Sequence, residues 1–179
     1  MKIVIFDSGQ GSYYATKVYR KLYPRIEFIN YQDKMHFPYG GKSKKELERI
    51  IKSVCNFIYR KYKPDGIIIA SYTIGQIEPF KFPVPIKIFK LPNIKNAVYL
   101  MTKGLKESPL YRDYNKIDIS YLAEQVQNKK RNINVKVLSN ITNETIILAC
   151  THLSPLLNKF KQTYPKANFI DPIEWQFLM

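Results

Sequence analysis

Two stretches decide how this chain is read: "IIIASYTIGQ", Ile67 to Gln76, and "IILACTHLSPLL", Ile146 to Leu157. Each is an apolar run that ends in alanine and a small polar or thiol side chain, with a threonine close behind. The first presents Ser71-Tyr72-Thr73 and the second Cys150-Thr151-His152. Apolar runs of this length, rich in isoleucine and without strict alternation, are the signature of strands buried on both faces, as in a parallel sheet.

Outward from these runs the chain alternates strand and helix. Strands are expected over Lys2–Phe6, Glu27–Tyr31 and Gly66–Ala70, and helices over Tyr13–Leu22 and Ser43–Tyr62. An extended stretch follows around "FPVPIKIFKLP". Such alternation predicts an α/β fold, a parallel open sheet with flanking helices and right-handed crossovers. Open parallel sheets bind ligands at the carboxyl ends of their strands. Here those ends are Asp7-Ser8-Gly9, Asp33 with its loop, Ser71-Tyr72-Thr73 and Cys150-Thr151-His152, all rich in small polar groups. Between Asn93 and Asn143 the pattern gives helical patches in "NIKNAVYLMTKGLKE" and "DISYLAEQVQNKK", one strand candidate in "NVKVLS", and a surface connection in "KESPLYRDYNK". Leu156, Leu157 and Phe160 line a helix after Cys150, and "ANFIDP" reads as a short final strand. The expected organisation is a first α/β domain over 1–92, a reduced second one over 93–170, and a return segment over 171–179.

Composition narrows the classes. The chain has 179 residues, enough for one ordinary core or one domain and part of a second. Hydrophobic residues make up 45% of it and no apolar run approaches the ~18 residues of a membrane span, so a cytoplasmic globular protein is expected, with no membrane partner. Two cysteines cannot build a disulfide framework, and no metal-ligand spacing surrounds them. Cys55 flanks the apolar face formed by Leu47, Ile50, Ile51, Val54 and Ile58 and is expected to pack in the core. The formal charge of +15 favours anionic partners. The basic residues are scattered over helix ends and faces without a recognition motif, so nucleic acid is the less favoured partner class. No phosphate-cradling Gly-rich fingerprint is present, and neither metal, nucleotide nor other cofactor is expected.

At the strand ends the residues carry a family likeness. "FDSGQGS", "DKMHFPYGGKS", "IIASYT", "LACTHLSPLL" and "FIDPIE" occur in the order found in glutamate racemase, and the chain resembles that family of cofactor-independent amino-acid racemases. The resemblance covers Ile3 to Thr73 and Ile146 to Glu174. It implies a site between two α/β halves, with a cysteine on each face of the substrate's α-carbon. One thiolate removes the α-proton and the opposite thiol delivers one. A thiol whose pKa is tuned by its neighbours suits both tasks. By the same resemblance, Asp7 and Ser8 lie near the first cysteine and the substrate. Pro38, Tyr39 and Gly40 shape the pocket, Thr73 and Thr151 bind the substrate carboxylate, and His152 tunes the second cysteine, Cys150.

Two departures qualify this. Ser71 stands where the family has its first cysteine, and Tyr72 where it has an asparagine that helps hold the substrate amine. A serine hydroxyl is a poor base without a partner to take its proton, so Ser71 reads as a degenerate catalytic position and full racemase activity is not expected. Three functions stay open. One is a racemase-like isomerase for glutamate, aspartate or a similar small acid. Another is a one-cysteine, decarboxylase-like enzyme. The third is a non-catalytic binding protein derived from the fold. The middle is shorter than in the family and the family's late helices have no counterpart, so a homo-oligomer that covers the exposed apolar surface is expected. His36 is expected to be exposed and without a partner.

Overall fold

The apolar runs become strands of two four-stranded sheets in which every pairing is parallel. The computed structural model describes residues 1–136 and 144–176. The first sheet holds β1 (Lys2–Asp7), β2 (Glu27–Gln32), β3 (Gly66–Ile69) and β4 (Ile86–Ile88) in the order β2-β1-β3-β4. The second holds β5 (Val98–Met101), β6 (Asn115–Asp118), β7 (Thr145–Leu148) and β8 (Asn168–Ile170) in the order β6-β5-β7-β8. The two orders are the same, so β1 matches β5 and β3 matches β7. In each sheet the chain grows outward in opposite directions from that central pair. The loops leaving the pair therefore diverge and leave a crevice at its carboxyl end.

The helices follow from their apolar spacing and caps. They are α1 (Gly11–Leu22), α2 (Lys44–Tyr62), α3 (Lys103–Lys106), α4 (Ser120–Gln127) and α5 (Leu157–Thr163). Ser43 caps α2 by accepting from the Glu46 N–H at 3.2 Å, and Lys63 ends it in the left-handed conformation. The buried face of α2 is Leu47, Ile50, Ile51, Val54, Cys55 and Ile58, so Cys55 packs in the core as expected. That face lies on Val4, Phe6, Ile67 and Ile69 of the first sheet. A second cluster joins α4 and α5 to β5 and β7. The third lies between the sheets: Ile3, Ile5, Ile68 and Ala70 pack with Tyr99, Met101, Ile147 and Ala149. Ile173, in the return segment, belongs to this shared cluster, and the Gln176 amide donates to the Lys90 carbonyl at 2.9 Å. Residues 177–179 of that segment lie outside the described residues.

The middle of the chain departs from its sequence reading. "AVYLM", expected within a helical patch, contains β5, a central strand wholly buried between β6 and β7. Alanine, leucine and methionine favour helix, but burial on both faces overrides that preference. The edge strand β6, "NKID", is half exposed with a single apolar residue, and it straddles the expected surface connection, which ends at Lys116, and the helical patch, which begins at Asp118. Tyr111 of that connection is buried in the shared cluster. In "NVKVLS", residues 134–136 form no strand, and 137–139 lie outside the described residues.

The two halves come close where Gly104, in the first turn of α3, meets Gly40 of the 3-10 turn Tyr39–Gly41. A Cβ on Gly104 would overlap the Gly40 carbonyl, whereas one on Gly41 would meet nothing. Alanine normally favours a helix by about 1 kcal/mol over glycine. Here the neighbour is backbone and cannot swing aside, so the clash dominates. Gly104→Ala should lower stability by roughly 1–3 kcal/mol in urea unfolding, while Gly41→Ala stays near wild type.

Candidate functional site

The loops leaving β1 and β3 face those leaving β5 and β7 across a cleft of about 680 Å³, within the usual range for small-molecule sites. Asp7, Ser8, Ser71 and Thr73 line it from the first sheet, Pro38, Tyr39 and Gly40 from the loop before α2, and Cys150, Thr151 and His152 from the second sheet. The structure thus brings every residue of the expected site to one cleft. It adds Thr102, Lys103, Gly104, Glu124 and Gln127, which the sequence did not single out.

Ser71 and Cys150 occupy equivalent places. Each is the second residue beyond its strand, after Ile69 and Leu148 respectively. Each has extended backbone, φ −137° and ψ 117° for Ser71 against φ −148° and ψ 122° for Cys150. Each opens a 3-10 turn, Tyr72–Gln76 or Thr151–Leu156. The likeness of the two opening stretches is therefore a structural repeat, with a hydroxyl at one end and a thiol at the other.

On the thiol side, burial pushes the Cys150 pKa up to about 12, against which the backbone N–H groups of His152 and Leu153 work. At neutral pH it is a thiol, a proton donor. His152 Nδ1 lies 3.8 Å from Sγ, and its Nε2 lies 2.8 Å from Gln127 Oε1. Burial pushes His152 down to about 4, so the ring is neutral near pH 7.

On the hydroxyl side stands Asp7. One carboxylate oxygen accepts from the Ser8 N–H at 2.7 Å, and the other from the Thr151 hydroxyl at 3.4 Å. The Ser71 hydroxyl, close to the same carboxyl, also works to lower its pKa. Burial pushes Asp7 up to about 6, and these hydrogen bonds pull the other way. It can hold or release a proton near neutrality. The approach of α1 to this group needs glycine. A Cβ on Gly11 would overlap Thr151 Oγ1 and Asp7 Oδ2, and one on Gly9 would lie 2.7 Å from both Gln127 Oε1 and His152 Nε2.

The cleft walls are fixed from behind. The Tyr39 hydroxyl donates to Asp33 Oδ2 at 2.8 Å, and His36 Nδ1 pairs with the same oxygen at 2.8 Å. His36 is therefore not the partnerless histidine expected from sequence. Its partner precedes it by three residues, within reach across the 3-10 turn Lys34–His36. Asp33 itself lies outside the cleft and holds its loop. Tyr72 lines the cleft, its ring 5.9 Å from Phe89, and its buried hydroxyl has no hydrogen-bond partner among the described residues. Gln127 was missed because "DISYLAEQVQNKK" shows only a helical patch with no site motif. Only the docking of the end of α4 beside the loop after β1 brings it to His152. Among the described residues, no group of three or more His, Cys, Asp or Glu is placed to hold a metal ion, and no helix is long and apolar enough to cross a membrane.

Asp7 also sets a stability signature. It takes up its proton near pH 6 when folded and near 3.8 in an unfolded, solvated chain, so the folded protein binds more protons between those values. Stability then falls as pH rises through that window. Asp7→Asn should therefore be more stable than wild type at pH 8, by up to about 3 kcal/mol, with the gain gone at pH 3.5. Paired urea titrations at the two pH values read this directly.

No family model matches the chain. Among curated proteins it is 30% identical to the glutamate racemase of Buchnera aphidicola subsp. Schizaphis graminum, over 95% of this chain and 80% of that protein. It is 29% identical to the glutamate racemase of Actinobacillus pleuropneumoniae serotype 7, over 95% and 76% respectively. Its fold is similar to the crystal structure of Escherichia coli glutamate racemase in complex with L-glutamate and the activator UDP-MurNAc-ala. That match has a TM-score of 0.80 at 20% identity, covering 97% of this chain and 78% of that one. Matched sheets, a shared cleft and sequence identity along nearly the whole length agree, and the chain belongs to the glutamate racemase family.

Proposed function

We propose that the cleft binds glutamate, aspartate or a similar small acid, and that Cys150 transfers a proton at its α-carbon without a cofactor. One observation carries this reading: the expected site residues, scattered from Asp7 to His152, converge on one cleft with the Cys150 thiol beside a neutral histidine. The naming of the relatives and the L-glutamate in the Escherichia coli structure support the substrate class. The net charge of +15 would draw such an anion in at long range.

The two faces of the substrate then meet unequal chemistry. Cys150 protonates its face of the α-carbon. The resulting thiolate is met by the N–H groups of His152 and Leu153. On the other face Ser71 cannot act as a base alone. Beside Asp7, whose pKa its hydroxyl helps to lower, it can pass its proton to that carboxylate while accepting one from the α-carbon. Thr73 and Thr151 offer hydroxyls to the substrate carboxylate. A relay through serine is weaker than a thiolate, so racemisation is slow.

A one-sided reaction is the second reading, because it needs only the Cys150 face. The observation favouring it is that the other cysteine, Cys55, is on the buried face of α2, outside the cleft. A decarboxylase-like reaction belongs here: loss of carbon dioxide leaves a carbanion that Cys150 protonates. The homo-oligomer remains part of the proposal, supported by exposed Met35, Leu110 and Tyr121. Light scattering that finds a monomer at micromolar concentration removes it.

Proton NMR of L- and D-glutamate and L- and D-aspartate incubated with the protein in D₂O tests the reading. The expected result is slow α-deuterium incorporation, reduced about 10²–10⁴-fold by Cys150→Ala and accelerated by Ser71→Cys. Incorporation with inversion supports the two-faced route, and incorporation with retention the one-sided route. No exchange in any of the four, with wild type and Ser71→Cys alike, overturns proton transfer on these amino acids and leaves decarboxylation of a malonate-type acid or a binding protein.

A further inference from the structure

Gln10 and Gln127, 117 residues apart in sequence, join the two halves through a reciprocal pair of hydrogen bonds. The backbone N–H of Gln10 donates to Gln127 Oε1 at 3.0 Å, and the Gln10 side-chain Nε2 donates to the Gln127 carbonyl at 2.8 Å. Each side-chain amide faces a backbone group of a single polarity, so neither can be turned around without setting like groups face to face. The Gln10 amide is held further by Tyr14, whose hydroxyl donates to Gln10 Oε1 at 3.0 Å.

The consequence falls on His152. Its Nε2 lies 2.8 Å from Gln127 Oε1, the same oxygen that the Gln10 N–H has already fixed as an acceptor. Nε2 must therefore be the protonated nitrogen. Nδ1 then carries the lone pair and faces Cys150 Sγ at 3.8 Å. We infer that Gln127, locked by Gln10, is a positioning residue: it sets the His152 tautomer so that Nδ1 accepts the Cys150 S–H. In the opposite tautomer Nδ1–H would point at the sulfur, and the thiol proton would have no acceptor on the ring. The glycine at position 9 belongs to the same device, because a Cβ there would crowd both Gln127 Oε1 and His152 Nε2 at 2.7 Å.

The inference rests on Cys150 being the proton donor of the proposed function, but its test needs neither substrate nor turnover. The chain has two histidines, so a long-range proton–nitrogen correlation spectrum of uniformly labelled protein contains two ring patterns. His36→Gln identifies which belongs to His152. Wild type is expected to show the Nε2–H pattern for His152. Gln127→Glu presents only acceptors and should keep it. Gln127→Lys presents only donors and should invert it to Nδ1–H, with slower alkylation of Cys150 by iodoacetamide. An Nδ1–H pattern in wild type overturns the inference even if the lysine variant does not fold. A folded lysine variant with the wild-type pattern overturns it too. Absence of isotope exchange on amino acids would sink the proposed function and leave the tautomer result standing.

Discussion

Two parallel sheets with the same strand order bury one apolar cluster between them, and the site depends on that shared burial. Ile68 and Ala70 on one side and Ile147 and Ala149 on the other are packed into it. Each pair brackets the last residues of a matched strand, β3 or β7. Packing these strands into a common cluster obliges their ends to emerge beside the same cleft. Burying large apolar side chains is worth about 1.5–3 kcal/mol each. Hydrogen bonds across the cleft contribute far less individually. The geometry of the cleft is thus set by hydrophobic packing, and the polar contacts adjust it.

Within that frame the two strand ends have diverged in chemistry while keeping their backbone. Ser71 and Cys150 have nearly the same dihedrals and the same place relative to their strands. Their surroundings separate them. Ser71 lies beside a carboxyl that titrates near neutrality, and Cys150 sits beside a neutral imidazole. Asp7 stands between the two sides: the Ser71 hydroxyl works to lower its pKa, and the Thr151 hydroxyl donates to it. The glycines at 9 and 11 exist to let α1 begin this close.

Much of this was legible in the sequence where burial writes a pattern. β1, β3 and β7 are continuous apolar runs, and the residues just beyond them are the cleft. The long helix α2 carried both its apolar stripe and its Ser43 cap. What was hidden lay where local preference and tertiary context disagree. β5 looked helical because its residues favour helix in isolation, and β6 has too little buried surface to leave a trace. Gln10 and Gln127 could not be found from spacing, since their meeting depends on how the end of α4 docks near the start of α1. The bond between His36 and Asp33 is local, and a closer reading of the spacing of three residues would have suggested it.

The central claim is that the cleft around Cys150 is where a small acidic amino acid binds. Iodoacetamide labelling with mass spectrometry distinguishes Cys150 from Cys55, the chain's other cysteine. With millimolar glutamate or aspartate of either hand present, at least one of the four ligands should slow labelling of Cys150 several-fold and leave Cys55 unchanged. Labelling of Cys150 that proceeds at the same rate with all four ligands as without them would contradict the account.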